Sequence, residues 1–247
     1  MKLLYIVPIK EGEDLNEETG SSIEKNRANG EQPPIDVCLI LSLNGLSLEE
    51  AINKQIADNY DSGTNYKALG VTHVVIVPNK STITQNYRSV VEQYVNKDNT
   101  IYLPVVQYFE LSEDGKESKF RGLLNTCMWK PYGANEYGFV NEDLAVKQID
   151  TTLYGALVPL ETLKQHPLKT KIKYYSFFEY ISRMVHKEVV VQGIPKVVIL
   201  YTADDTLKKA TQEEKVKYFT ACQSEYKNDI DAELVTLPPA EPAATAN

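Results

Sequence analysis

The stretch Tyr66–Phe109, YKALGVTHVVIVPNKSTITQNYRSVVEQYVNKDNTIYLPVVQYF, decides the fold class. Val71–Val77 is a short run dense in β-branched residues, closed by Pro78 and Asn79, which predicts a fully buried strand. Ser81, Thr82 and Thr84 offer side-chain oxygens to cap a helix. Ile83, Tyr87, Val90, Val91, Tyr94 and Val95 then recur at i, i+4, i+7 and i+8 and share one helical face. Ile101–Phe109 predicts a second apolar strand. A strand, a helix and a strand within about 40 residues make a βαβ unit, which calls for a parallel sheet covered on both faces. The loop after such a strand's carboxyl end is where ligands bind. Here it is Pro78-Asn79-Lys80-Ser81.

At 247 residues the chain can bury a substantial core. Its 43% hydrophobic and 24% charged content, with a mean hydropathy of −0.33, describe an ordinary soluble globular protein. No apolar run reaches the roughly 20 residues of a membrane span. The opening MKLLYIVPIKEGED lacks a small-residue cleavage site, so it reads as a first strand, not a signal peptide. A net charge of −8 argues against nucleic acid, which needs clustered Lys and Arg. The scattered Cys38, Cys127 and Cys222 suggest reduced structural thiols in a cytoplasmic setting, or in a virion if the protein is viral.

Around the organising stretch, residues 1–236 are expected to form one α/β domain: three layers, a mainly parallel central sheet, an antiparallel edge strand at 189–201 and a C-terminal helix at Leu207–Tyr226. Ile35–Leu43 predicts a buried strand. Ser47 and Glu50 predict a capping box for a helix carrying Leu48, Ile52 and Ile56. Asn65–Gly70 reads as a short helix and Leu111–Lys119 as an exposed hairpin or loop. Thr151–Pro159 reads as a strand with Gly155, Leu160–Gln165 as a short helix, and Tyr174–His186 as an amphipathic one. Residues 11–34 show no apolar periodicity and read as a long polar loop; Pro131–Gly138 reads as an aromatic loop and 237–247 as a low-complexity docking or flexible tail.

Common catalytic signatures are missing: no GxGxxG, P-loop, GxSxG or HExxH occurs. His73 reads as a satisfied strand residue. Asp229-Ile230-Asp231 spells DxD, but it follows a charged helix near the C terminus, and a metal site needs converging ligands on a rigid cleft, so it is not read as one.

Three segments carry a resemblance to a family: IDVCLILSLNGLSLEEAINKQI, YKALGVTHVVIVPNKSTITQNYRSVVEQYV, and the stretch from LYGALVPLETLKQHP to VVVQGIPKVVILY. In element order and hydrophobic pattern the chain resembles nucleotide-sugar glycosyltransferases of the GT-A fold, family 2, a Rossmann-related α/β architecture. The resemblance implies a nucleotide-sugar donor, a divalent metal held on its diphosphate by a DxD loop, and a later helix with a D-x-E-x-x-x-R pattern whose Asp is the general base. Here the DxD loop is matched by Asn79-Lys80-Ser81, without a carboxylate. The helix keeps Glu179 and Arg183, but Phe177 stands at the position of the base, and phenylalanine accepts no proton.

Two catalytic positions lost together imply a transferase-like domain without catalysis, acting as a binding or structural module with protein partners in an assembly such as a virus particle. No cofactor is then expected. The alternative is a metal-independent transferase: Asn44, Asn79, Lys80, Ser81 and Arg183 would bind the nucleotide sugar, Lys80 would face the diphosphate, and Glu179 or Asp143 would serve as base. A third reading is a generic α/β small-molecule binder. As a bland counterpart, Glu179 and Arg183 stand at i, i+4 and make a structural ion pair without any substrate.

Overall fold

The computed structural model describes residues 1–27, 36–97, 99–111, 118–125, 152–169 and 176–203. The aromatic loop at 131–138, Asp143, the helix read at 207–226, Asp229-Ile230-Asp231 and the tail at 237–247 lie outside these residues.

Strand β1 (Leu3–Ile9) is apolar on both sides, and the fold uses both sides. It pairs in parallel with β2 (Val37–Ser42) on one flank and with β3 (His73–Ile76) on the other. Leu4 and Ile6 point into one core, shared with helices α2 (Leu48–Asn59), α4 (Leu160–Gln165) and α5 (Ser176–His186). Leu3, Tyr5 and Val7 point into a second core, with Ile23 of α1 (Glu17–Asn26) and Tyr87, Val90 and Val91 of α3 (Tyr87–Tyr94). Helices on both faces of a parallel sheet are the three-layer arrangement.

The sheet is divided. One four-stranded sheet runs β2-β1-β3-β7, with β7 (Val158–Pro159) antiparallel to β3. The other runs β4-β8-β5-β6, built from β4 (Thr82–Ile83), β8 (Val191–Ala203), β5 (Ile101–Leu111) and β6 (Ser118–Leu124). Single bridges, Ile76 to Tyr154 and Tyr102 to Leu157, join them. β3 and β5 therefore do not neighbour each other, as a simple βαβ unit would have them; the 154–159 segment lies between.

Gly155 sits at this junction with φ +70°, its amide donating to the Ile76 carbonyl (2.9 Å) and its carbonyl accepting the buried Tyr87 hydroxyl (3.1 Å). A Cβ there would stand 3.3 Å from Ile199 Cγ2. Gly155→Ala is expected to cost about 1–2 kcal/mol from the left-handed backbone alone, read as a lower midpoint in urea unfolding.

Several local expectations hold. The capping box forms as read, with Ser47 Oγ accepting the Glu50 amide and Glu50 Oε2 accepting the Ser47 amide. Ser47→Ala is expected to cost about 1 kcal/mol in the same unfolding assay. α4 spans the residues read for it, and α5 starts at Ser176.

Others are corrected. Residues 11–34 are not all loop: α1 occupies Glu17–Asn26, capped by Asn16 accepting the Thr19 amide. Its buried face is Thr19, Ile23 and Asn26, so the helical period is written mainly in polar residues and is invisible to a hydrophobic scan. Thr82 and Ile83 do not begin a helix but pair with Leu200 and Ile199; α3 starts at Tyr87, where Asn86 makes no side-chain cap bond. Ile35–Leu43 is not a fully buried strand, since β2 lies at the sheet edge and Ile40 is 47% exposed. The 189–201 segment is not an antiparallel edge: β8 runs parallel to β5, with β4 on its other side. Between the Ile194–Pro104 and Val197–Val105 pairs, Pro195 and Lys196 bulge out, which accommodates a proline without an N–H. Asn65–Gly70 is a turn, with Asn65 at φ +51° and Gly70 at +76°. Of the residues read as a hairpin or loop at 111–119, Leu111 belongs to β5 and Ser118 and Lys119 to β6, the two strands pairing antiparallel with Leu111 opposite Ser118; residues 112–117 lie outside the described residues.

Candidate functional site

The strand order places a switch in direction at β1. From β1 the chain crosses to β2 on one side, then returns past β1 to β3 on the other. In open parallel sheets the crevice at the strands' carboxyl ends beside such a switch is the favoured ligand position. Here it is bounded by the loop after β1 (residues 10–16), the loop after β2 (Leu43–Leu46) and the loop after β3 (Pro78–Ser81). Each loop carries a residue in the left-handed region: Gly12, Asn44 with Gly45, and Lys80 at φ +64°.

The structure ties the first and third loops together. Asn79 Nδ2 donates to the Asp14 carbonyl (2.9 Å), and its Oδ1 accepts the Asn16 amide (2.8 Å). Lys80 Nζ stands 3.2 Å from Glu13 Oε1, and Glu13 Oε2 also accepts the Lys10 amide (3.2 Å). Burial pushes the Glu13 carboxyl up, but the Lys10 amide and the Lys80 ammonium outweigh it and hold it below its ordinary value. The stabilisation from this pair is therefore present above the usual carboxylate range and fades as pH falls through the lowered value. Ser81 is buried, and its Oγ accepts the Thr202 amide (3.3 Å), so the loop leans on β8. Asn44 is exposed on its own loop, where its Oδ1 accepts the Ser42 hydroxyl (2.7 Å).

Glu179 and Arg183 are brought together on α5. Arg183 Nε donates to Glu179 Oε1 (2.8 Å) and its Nη2 to the Pro167 carbonyl (2.8 Å), while the guanidinium lies 5.4 Å from the centre of the Tyr180 ring. The Glu179 side chain is fully buried. Phe177 is 9% exposed and packs edge-on against Tyr154 (5.2 Å), which meets Tyr201 (4.7 Å) and through it Tyr108 (5.6 Å). Beside this row, Ser176 Oγ donates to Glu49 Oε1 (2.6 Å), joining α5 to the first turn of α2.

The residues at the crevice do not fit a divalent cation. Among the described residues no group of three or more His, Cys, Asp or Glu side chains converges. The loop itself offers an ammonium, an amide already bonded twice and a buried hydroxyl. Also among the described residues, no helix is long and apolar enough to cross a membrane.

Glu13, Asp14 and Asn16 were not legible as site residues. The signal that could have pointed to them is their place directly after an apolar strand, once that strand is known to be central.

No protein-family model matches the sequence, and no curated protein matches it. Among solved structures the chain is similar to S. aureus TarS in complex with UDP, at 12% identity and a TM-score of 0.51, over 94% of this chain and 67% of that one. The complex of S. aureus TarS with UDP-GlcNAc aligns at 12% identity and a TM-score of 0.47, over 91% and 67%. At that identity the first likeness speaks for fold alone. With β1 central, helices on both faces and the loops gathered at the carboxyl edge, the chain has an α/β, GT-A-like fold.

Proposed function

We propose that the chain is a glycosyltransferase-like domain that has lost catalysis and serves as a binding or structural module. One observation carries this: the polar residues of the loop after β3 are used by the chain itself. Asn79 braces Asp14 and Asn16, Lys80 pairs with Glu13, and Ser81 holds β8. Phe177, at the position that the resemblance gives to the general base, supports the same reading through its packing on Tyr154. The low-complexity residues 237–247 support a context with protein partners, in an assembly such as a virus particle; a native mass showing only monomer in the source would remove that context.

The test is calorimetric titration of the protein with UDP, UDP-glucose and GDP-mannose, with and without Mn²⁺. Silence with each is the expected result. Binding at micromolar strength, about −8 kcal/mol, together with sugar turnover would overturn the reading.

A second reading, a metal-independent transferase, draws on the position of Lys80 at the switch-point crevice with its side chain still 41% exposed. It requires a nucleotide sugar to approach Lys80, with Glu179 or Asp143 as base and Asn44, Asn79, Ser81 and Arg183 as further donor contacts. Turnover that collapses in both Lys80→Ala and Glu179→Gln would establish it; unchanged turnover in both would remove it.

A further inference from the structure

We propose that the outer edge of β2 pairs antiparallel with the same strand of a second copy of this chain, about a two-fold axis at Ile40, so that one continuous sheet runs through a dimer. The inference goes beyond the proposed function and does not draw on it, because the pairing forms or fails whether or not a nucleotide sugar binds.

A strand has main-chain donors and acceptors to place on both of its sides. β2 meets β1 on one side, and among the described residues no strand pairs with the other. The Leu43 amide donates to the Ile9 carbonyl (3.0 Å). By the alternation of a strand, the main-chain groups of Leu39 and Leu41 then face β1, and those of Cys38, Ile40 and Ser42 face outward. Folded proteins blunt such edges with charges, bulges, shortness or a covering element. The other edges of this fold are treated in that way. β4 has 2 residues, and α1 takes its outer groups: the Ile83 amide donates to Ser22 Oγ (3.2 Å) and the Thr84 carbonyl accepts Asn26 Nδ2 (2.8 Å). β6 carries the exposed Lys119 and Arg121 and pairs with β5 through a bulge. β7 also has 2 residues, and the preceding Leu157 bridges to Tyr102 of the other sheet. β2, Val37-Cys38-Leu39-Ile40-Leu41-Ser42, has no charge, no proline and no register shift, and its Ile40 stands 47% exposed.

A second copy is the partner this edge fits, because the edge is its own complement. An antiparallel strand must bring outward groups against outward groups. With the axis at Ile40, that residue meets Ile40 of the second copy, and Cys38 meets Ser42. Both kinds of pair exchange main-chain bonds, and Leu39 falls opposite Leu41 between them. The exposed Ile40 side chain is buried against its equivalent, on the face where Cys38 packs beside the α1 core. Leu39 and Leu41 carry the α2 core across the junction. No charged side chain stands on the strand, so the copy brings no like charges together along it. Beside Cys38, Arg27 and Glu24 already neutralise each other (2.6 Å). The pairing consumes both β2 edges and leaves only blunted ones, so the assembly closes at two copies.

The experiment follows the mass of the full chain in reductant by light scattering, up to about 100 µM, well above the micromolar range of a weak dimer. The unaltered protein is expected to form a dimer. Ile40→Lys is expected to raise its dissociation constant by about tenfold or more, since two ammoniums then meet on the axis. The exposure of Ile40 leaves room for lysine in a single chain, and circular dichroism checks that the variant is folded. Ser42→Cys tests the register. Positions 38 and 42 of one strand lie about 13 Å apart, too far for a disulfide. Opposite residues of a hydrogen-bonded antiparallel pair lie about 5.5 Å apart, within its reach. Once reductant is removed, this variant is expected to form an inter-chain disulfide between position 42 and Cys38 of the second copy. Peptide mass spectrometry maps the bond, and adding Cys38→Ala should abolish it. A protein that stays monomeric at every concentration overturns the proposal. So does a dimer that a folded Ile40→Lys leaves intact, or one that gives no 38–42 cross-link. Should lysine unfold the chain, the dimer and the cross-link decide between them.

Discussion

Asp36→Ala is expected to lower unfolding stability by about 3–5 kcal/mol, among the largest effects of any single substitution in this chain. The Asp36 side chain is fully buried at the amino-terminal end of the first sheet. Its Oδ1 accepts the Leu3 amide (2.9 Å) and its Oδ2 accepts Arg88 Nη1 (2.7 Å). Arg88 in turn donates to the Met1 carbonyl (2.7 Å) and to Glu92 (2.6 Å), and Arg27 Nη2 donates to the Asp36 carbonyl (2.9 Å). The carboxylate thus joins the start of β1 to α3, and the Asp36 backbone carbonyl adds the end of α1. Alanine leaves a mostly buried guanidinium with only the exposed Glu92 as counter-charge and a buried amide without its acceptor, which is the costly way to break such a pair. Urea unfolding should show a lower midpoint with an unchanged slope. Replacing both partners by apolar residues, Asp36→Leu with Arg88→Met, should recover much of the loss; a single-variant loss under about 1 kcal/mol would refute the argument. The clasp lies at the end of the sheet opposite the crevice, so ligand titrations should not respond to it.

Glu179→Ala is expected to cost a similar amount, about 3–5 kcal/mol, and for a chain of this size to lower Tm by roughly 10 °C. The pair is built like an ordinary i, i+4 helix bridge, but its surroundings change its weight. An exposed bridge of this kind contributes a few tenths of a kcal/mol. Here Glu179 is 0% exposed and Arg183 is spent on Glu179 and the Pro167 carbonyl, so the arginine would lose its counter-charge inside the protein. Glu179→Gln, which keeps the shape and one acceptor, should cost clearly less. A thermal melt of the two variants separates the roles: a structural residue shows the large loss with alanine, whereas a base working in a cleft would tolerate alanine in the melt and lose turnover with glutamine.

The two cases show what kind of information lies in a local stretch of chain. Glu179 and Arg183 were visible as a helical pair because their relation is a spacing of four. That the pair is buried was not visible, since burial depends on Pro167 and on the packing of α5 against the rest of the core. Asp36 drew no attention as a polar residue beside an apolar run; its partner Arg88 is 52 residues away.

What the sequence by itself determined is whatever a few neighbouring residues settle. Within the Val71–Val77 run His73–Ile76 made a strand, Ser47 and Glu50 closed their capping box, the Phe177–Met184 stripe made α5, and Ile101–Phe109 made most of β5. These follow from side-chain periodicity and from short-range hydrogen bonds. They were enough for the α/β class and for the importance of the loop after β3. Only the tertiary structure decided the rest. α1 went unread because its inward face is Thr19, Ile23 and Asn26, a pattern that means nothing until the sheet it covers exists. The insertion of residues 154–159 between β3 and β5, and the seating of β8 parallel to β5, depend on pairings between strands distant in the chain. Likewise Glu13 and Lys80, or Asn79 and Asp14, meet only because β1 and β3 lie side by side. Elements are set by local geometry, but a site is set by which elements become neighbours, and that choice belongs to the packing of the whole core.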